Sequence, residues 1–317
     1  MIVRIKNSHS ALDQEVVRAF LNVMRGHVPL LKKSPTMPIQ PSDVWVGMAW
    51  DWALTSPFLA EISHLNPVFI RTPSILGHEL AGVITALGYG TTGLSIGQRV
   101  FGLTDWFRDG TLAEYVAVES RNLAPLPGNV DFTVGASLPI SGLTAWQGLF
   151  QHGRLQAGQT VLAHGAAGAV GSIVTQLARE AGAYVIGTGR AADRQRALDF
   201  GANEFVDLEN DTLEDVGGVD LLFDVIGGDV QGRSAALIRA GGTLVTAVGP
   251  TDIRPADGLA VDFVVEADRA QLSEIVSRAR DGRLRTNIGK VSSLGNAVAT
   301  FNSTERRAGK TVIRVLP

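Results

Sequence analysis

One stretch restricts the fold of this 317-residue chain more than any other: Thr160-Val-Leu-Ala-His-Gly-Ala-Ala-Gly-Ala-Val-Gly-Ser-Ile-Val. Its first residues read as a strand, its glycines as a tight turn, and the residues from about Ala169 as a helix. Ala166, Gly168 and Gly171 form A-x-G-x-x-G, a variant of the dinucleotide fingerprint. In that pattern the middle glycine lets the backbone approach a pyrophosphate. The last lets the helix pack close to the strand, and the phosphates meet the N-terminal amides of the helix. A glycine pattern alone is weak, since a tight strand–helix turn in an unrelated α/β fold gives the same letters. Its place within a βαβ unit favours the cofactor site.

The chain around this turn alternates. Strand-like runs at 160–164, 183–188, 203–207, 220–226 and 242–248 are interleaved with helix-like runs at 169–181, 192–200 and 229–239. Residues 261–266 can supply a sixth strand. Such alternation implies a parallel sheet covered by helices on both faces. An amphipathic helix near 269–280 and a strand near 311–315 follow. Upstream, from Leu76 to Val118, short apolar runs are broken by glycines, the texture of a small β-barrel or sandwich. Residues 44–52 also look like a strand. Ser10 and Asp13 make a capping box for a helix over 11–25, and Pro29, Pro35, Pro38 and Pro41 punctuate an extended connector behind it. The length suits two domains.

Composition removes several classes of function. There is no cysteine, which excludes disulfides, thiolate catalysis and every cysteine-ligated zinc site. A net charge of −3 gives no global field for nucleic acid or an anionic membrane. The N-terminus carries Arg4, Lys6 and Asp13 with no apolar core of a signal peptide, and Val161–Ala178 is too polar to span a bilayer. The expectation is a soluble cytoplasmic protein that binds neither nucleic acid nor membrane.

The strand after the turn bears on which dinucleotide binds. An NAD site places a carboxylate near the end of that strand for the ribose 2′-hydroxyl. Here the chain reads Gly187-Thr188-Gly189-Arg190, with no carboxylate before Asp193. A guanidinium and a hydroxyl suit a 2′-phosphate, so NADPH is expected, with Arg190 as its leading partner. Arg194 and Arg196 read equally well as phosphate contacts or as solvated residues of a helix that Asp193 caps.

Together with Ile75-Leu-Gly-His-Glu-Leu-Ala-Gly-Val-Ile84, Gly97-Gln-Arg-Val-Phe-Gly102, Gly142-Leu-Thr-Ala-Trp146, Leu198-Asp-Phe-Gly-Ala202, Asp224-Val-Ile-Gly227, Gly241-Gly-Thr-Leu-Val245 and Gly309-Lys-Thr-Val-Ile313, the turn resembles the medium-chain dehydrogenase/reductase superfamily. The closest likeness is to its zinc-independent quinone oxidoreductase and enoyl reductase branch. The likeness covers about residues 73–317. It implies an α/β protein in which a Rossmann doubly wound parallel sheet joins a GroES-like β-rich catalytic domain, with the cofactor in the cleft between them. The domains would run 1–124 (1–42 atypical), 125–266 and 267–317, the last returning to the catalytic domain. By position, the cofactor contacts would be Thr144, Gly165, Ala166, Ala167, Gly168, Ala169, Val170, Gly171, Thr188, Gly189, Arg190, Val225, Ile226, Val248 and Gly249. The strand Phe263, Val264 and Val265 would join them, with Lys310 a weaker candidate. Many NADPH-using relatives carry a tyrosine after the third Rossmann strand; Leu208 stands there here. The likeness also implies a homodimer, commonly through Rossmann sheet edges.

Gly77-His78-Glu79 matches the segment that supplies a histidine ligand in zinc-dependent relatives, whose remaining ligands rely on cysteine. No metal is expected, and His78, Glu79 and His164 read as structural polar residues. Before residue 73 the match is poor: the Asn-Pro-x-Asp-like turn of the family is replaced by Trp50-Asp-Trp-Ala-Leu-Thr-Ser-Pro57. Trp50, Trp52, Trp106 and Phe107 could wall a pocket for a flat, apolar electrophile, or simply pack a core or an interface. The expected activity is NADPH-dependent reduction of an activated C=C bond or a quinone, with no side chain singled out as catalytic acid. A tailoring enzyme with a rebuilt substrate domain, or a non-catalytic NADPH-binding protein, remain alternatives, because function resides in the site and not in the fold.

Overall fold

The computed structural model describes residues 2–4, 45–48, 75–303 and 309–315. The helix expected over 11–25, the proline connector, Trp50 and Trp52 lie outside the described residues.

Two sheets organise the chain. Among the described residues the first contains eight strands, in the order β13-β14-β2-β3-β1-β5, with β4 pairing with β3 and β6. These strands are β1 (Ile2–Arg4), β2 (Trp45–Met48), β3 (Glu79–Ala86), β4 (Arg99–Leu103), β5 (Tyr115–Ala117), β6 (Leu123–Pro125), β13 (Ile288–Ser293) and β14 (Lys310–Arg314). Glycines separate the short strands, as the sequence predicts. Gly102 in β4 is one that a larger residue could not replace, since a Cβ there would lie 2.1 Å from the Asn122 carbonyl oxygen.

The second sheet is wholly parallel, in the order β12-β11-β10-β7-β8-β9. Its strands are β7 (Thr160–Ala163), β8 (Tyr184–Gly189), β9 (Glu204–Asp207), β10 (Val219–Asp224), β11 (Ile238–Thr246) and β12 (Gly258–Asp262). This is the doubly wound Rossmann order, and its direction reverses between β7 and β10, where ligands bind in open α/β sheets. Val161, Leu162, Leu221 and Leu222 are buried on both faces of the central strands, as a covered parallel sheet requires.

Helices α1 (Phe132–Ser137) and α2 (Pro139–Trp146) lead from the first sheet into the second, and a π-helical turn over Gln147–His152 extends α2. Helix α3 (Gly171–Glu180) follows β7, α4 (Arg194–Asp199) follows β8, and α5 (Gly228–Ala235) follows β10. Helix α6 (Arg269–Arg280) starts at the Asp268 cap, whose carboxylate accepts from the Gln271 amide, and occupies the span its periodicity predicts. It packs on α2, where Ile275 fits against Gly142. From β13 onward the chain rejoins the first sheet, β14 pairing antiparallel with β2. Helix α7 (Ala297–Phe301) lies between the two returning strands.

Several boundaries differ from the sequence reading, three of them most clearly. Helix α3 begins at Gly171, not near Ala169, because residues 165–170 are all used by the turn. Helix α5 ends at Ala235, and residues expected to continue it to 239 already enter β11. The sixth strand is Gly258–Asp262 and not 261–266. Gly258 pairs with Gly242, where a Cβ would approach the Gly242 oxygen to 2.3 Å, and this close contact sets the earlier register.

Candidate active site

The glycine turn lies at the reversal of strand order. His164 donates its amide to the Phe223 oxygen at 2.9 Å, and Ala166 donates to Thr188 at 3.0 Å, so the turn is tied to both neighbouring strands. Gly165 has φ +63°, in the left-handed region that favours glycine. A Cβ on Gly171 would sit 2.1 Å from the Gly165 oxygen. The helix therefore starts as close to the strand as the fingerprint requires. The amides of Ala169, Val170 and Gly171 have no acceptor among the described residues. Free amides at a helix N-terminus are a ready anion site, so the turn fits a dinucleotide pyrophosphate.

Beneath the turn is a buried polar layer. His164 Nδ1 meets the Thr188 hydroxyl at 2.8 Å and Nε2 meets the Ser234 hydroxyl at 2.9 Å. Burial pushes the imidazole down to about 4, against the opposing charge of Asp224, so it is neutral at pH 7. His164 is the hydrogen-bonded packing residue its position suggests. Thr188 does not fit the 2′-phosphate role expected of it: its side chain is fully buried and its hydroxyl is taken by His164.

Asp224, at the end of β10, is also fully buried. Its carboxylate accepts from the amides of Ile226 and Gly227, from Gln231 at 2.7 Å and from the Thr246 hydroxyl at 3.1 Å. Thr246 in turn accepts from the Val248 amide. One carboxylate thus braces the two loops that carry Val225, Ile226, Val248 and Gly249. The loops touch, since Gly227 at φ +73° has room for no more than a hydrogen against Val248.

Three arginines follow β8. Arg194 donates to Asp211 at 2.8 Å and to the Phe205 carbonyl, and Arg196 pairs with Asp193 at 3.0 Å. Arg190 is half-exposed beside an exposed Glu209 at 3.4 Å, the longest of the three pairs. Gly189 adjoins it at the strand end and packs against Phe205.

The other wall comes from the first sheet and α2. Glu79 opens β3 and is fully buried; it accepts from the Ile140 amide at 2.8 Å and forms an ion pair with Lys310. Lys310 also donates to Ser141 at 3.1 Å. Lys310 is therefore enclosed by Glu79 and Ser141 and presents no surface to a cofactor, contrary to its weaker candidacy. Thr144 lies one turn further along α2 and is almost fully buried. His78 Nδ1 meets the Thr104 hydroxyl at 3.1 Å, and its ring centroid is 4.7 Å from that of Trp106. Burial lowers its pKa, partly offset by Asp105. Trp106 reaches across and donates its indole N–H to the Val265 oxygen at 3.2 Å. Phe107 is 76% exposed beside it.

Phe263, Val264 and Val265 are not the strand expected of them, but the segment that leaves β12. Phe263 stacks near His152 at 4.6 Å, Val264 is exposed and Val265 is buried. Gln147 fixes this segment: its carboxamide donates to the Glu266 oxygen at 2.8 Å and accepts the Glu266 amide at 3.1 Å. Neither Gln147 nor the bracing role of Asp224 is evident in the sequence, although Asp224 stands within a family motif. Among the described residues no group of three histidine, aspartate or glutamate side chains is placed to hold a metal.

Comparisons with known proteins agree with this geometry. A family model described as alcohol dehydrogenase GroES-like domain matches residues 37–128, and one described as zinc-binding dehydrogenase matches residues 169–265. A 2-methylene-furan-3-one reductase of Solanum lycopersicum is 30% identical over 262 residues, 77% of this chain and 64% of that protein. The spectinabilin polyketide synthase system protein NorB of Streptomyces orinoci is 34% identical over 263 residues, 76% of this chain but 12% of that protein. The chain thus spans less than two thirds of either relative. A quinone oxidoreductase structure from Pseudomonas syringae superposes with a TM-score of 0.73 at 25% identity, covering 90% of this chain and 94% of that one.

Proposed function

The chain belongs to the medium-chain dehydrogenase/reductase superfamily, among the relatives of its quinone oxidoreductases and enoyl reductases, and from that premise we propose an NADPH-dependent, zinc-independent reductase of an activated C=C bond or a quinone. The observation that carries this reading is a dinucleotide cradle on a chain without a cysteine.

When bound, the reduced nicotinamide supplies the hydride. The chain's own residues bind and orient. The free amides at the start of α3 take the pyrophosphate, and the loops braced by Asp224 border it. Arg190 takes the 2′-phosphate, because Arg194 and Arg196 are held by shorter contacts to Asp211 and Asp193. Segment 263–265, held by Gln147 and met by Trp106, lies where the two walls approach each other. Trp106 and Phe107 form the apolar wall for a flat electrophile. Zinc has no cysteine ligand here, and His78 already uses Nδ1 on Thr104. The mixed, near-neutral composition suits a cytoplasmic setting, and the exposed edge of β12 suits pairing with a second copy.

The test is consumption of NADPH with a panel of enones, enoyl thioesters and quinones, in the presence of a metal chelator. The expected result is turnover that the chelator leaves intact and that NADH supports poorly. No turnover with any acceptor overturns the reductase reading, equal use of NADH overturns the phosphate assignment, and inhibition by the chelator overturns zinc independence.

A further inference from the structure

We propose that Asn287 is a positioning residue for the bound dinucleotide, its carboxamide locking the phosphate-binding turn to the returning C-terminal segment. The inference rests on the dinucleotide reading above. Asn287 precedes β13 and lies 120 residues from the partner it meets: its Nδ2 donates to the Ala167 oxygen at 2.6 Å. Ala167 sits in the middle of the turn, just before the free amides of residues 169–171.

Asn287 is itself held from two sides. Its backbone oxygen accepts from the Lys310 amide at 2.7 Å, and Lys310 is anchored by Glu79 and Ser141. Gly309, at φ +106°, has no room for a Cβ, which would lie 2.7 Å from the Asn287 carbonyl oxygen and 2.8 Å from its Oδ1. On the other side, Arg285 exchanges two backbone hydrogen bonds of 2.8 Å with the Gln176 carboxamide on α3. The Asn287 side chain therefore meets the turn from a fixed base.

Two physical consequences make this contact more than packing. The peptide between Ala167 and Gly168 is planar, so holding the Ala167 oxygen also sets the direction of the Gly168 amide. That amide donates to Gly165 at 2.7 Å, so the plane is pinned at both ends immediately before the amides of residues 169–171. The Ala167 oxygen also places negative partial charge within a turn built to take an anion. The carboxamide N–H caps that charge, whereas a carboxylate in its place would add to it.

Three ligands separate the roles: NADPH, ADP-ribose, which keeps the pyrophosphate without the nicotinamide, and adenosine 2′-monophosphate, which has no pyrophosphate. Asn287→Ala is expected to weaken ADP-ribose and NADPH roughly fivefold, the size of one lost hydrogen bond. Asn287→Asp, nearly the same shape, is expected to weaken both further. Adenosine 2′-monophosphate should bind both variants within about twofold of the parent, since its phosphate lies at Arg190. ADP-ribose binding unchanged in both variants overturns the assignment. Parallel weakening of adenosine 2′-monophosphate also overturns it, by showing a general loss of structure. A parent chain that binds none of the three ligands instead removes the dinucleotide reading, with this inference alongside it.

Discussion

The ammonium of Lys310 and the carboxylate of Glu79 are both withdrawn from solvent, and each is the other's counter-charge. Burial lowers the Lys310 pKa, and Glu79 opposes that shift. Removing one member leaves an uncompensated charge inside, so Lys310→Met should cost about 3–5 kcal/mol, and adding Glu79→Leu should recover most of it. Urea denaturation of the single and double variants checks this; a double variant no more stable than the single would contradict it. His164 gives a pH signature. Its folded pKa of about 4 lies below the ordinary histidine value of 6.5, so the unfolded chain binds a proton that the folded chain refuses. Its contribution, roughly 3 kcal/mol, is complete above about pH 6.5 and is lost as the pH falls to about 4. His164→Gln should flatten the stability curve in that window, and an unchanged slope would exclude His164 as its source. Arg190→Ala should weaken NADPH about tenfold and leave NADH nearly unaffected in parallel titrations, because of the three arginines after β8 its guanidinium has the loosest carboxylate contact.

At the scale of elements, the β7–turn–α3 unit is where a local pattern and a long-range contact meet. Gly171 and Gly168 carry separable demands. A Cβ at Gly171 would be driven into the Gly165 backbone, whereas one at Gly168 meets the same oxygen at 3.1 Å and nothing else. Gly171→Ala should therefore lower both thermal stability and ADP-ribose binding. Gly168→Ala should leave the unfolding temperature within a few degrees and still impair binding, because the added methyl stands where the pyrophosphate approaches. Equal stability losses would refute the distinction. This unit was legible in the sequence because its signal is contained in about twelve consecutive residues, and α6 was legible because its apolar residues keep a 3.6-residue period. Segment 263–265 was misread for the opposite reason. Its apolar and β-branched residues have strand character, but the register of β12 is set earlier by the contact of Gly258 with Gly242. Asn287 and Gln147 were invisible because their partners lie 120 and 119 residues away, beyond any periodic pattern.

The whole molecule is closed by its C-terminal return: β13 and β14 complete the first sheet, while Asn287 and Arg285 contact the second domain on the way. The motifs near both ends of this path were readable, but the path itself is a tertiary fact with no local signature. The same arrangement leaves β12 at one end of the parallel sheet, with no strand on its outer side among the described residues. Leu259 within it is 59% exposed and Val264 just after it 70% exposed. An open edge carrying exposed apolar residues is an association surface unless something covers it. A two-fold copy of the chain meets that need without further parts, since edge-to-edge pairing is self-complementary. Light scattering behind size exclusion should therefore give a dimer mass for the parent. Leu259→Lys with Val264→Lys should bring like charges together across the two-fold axis and shift the mass to the monomer, while the far-UV spectrum and ADP-ribose affinity stay as they were. A monomeric parent, or a charged variant that remains dimeric, would show that β12 does not join two copies.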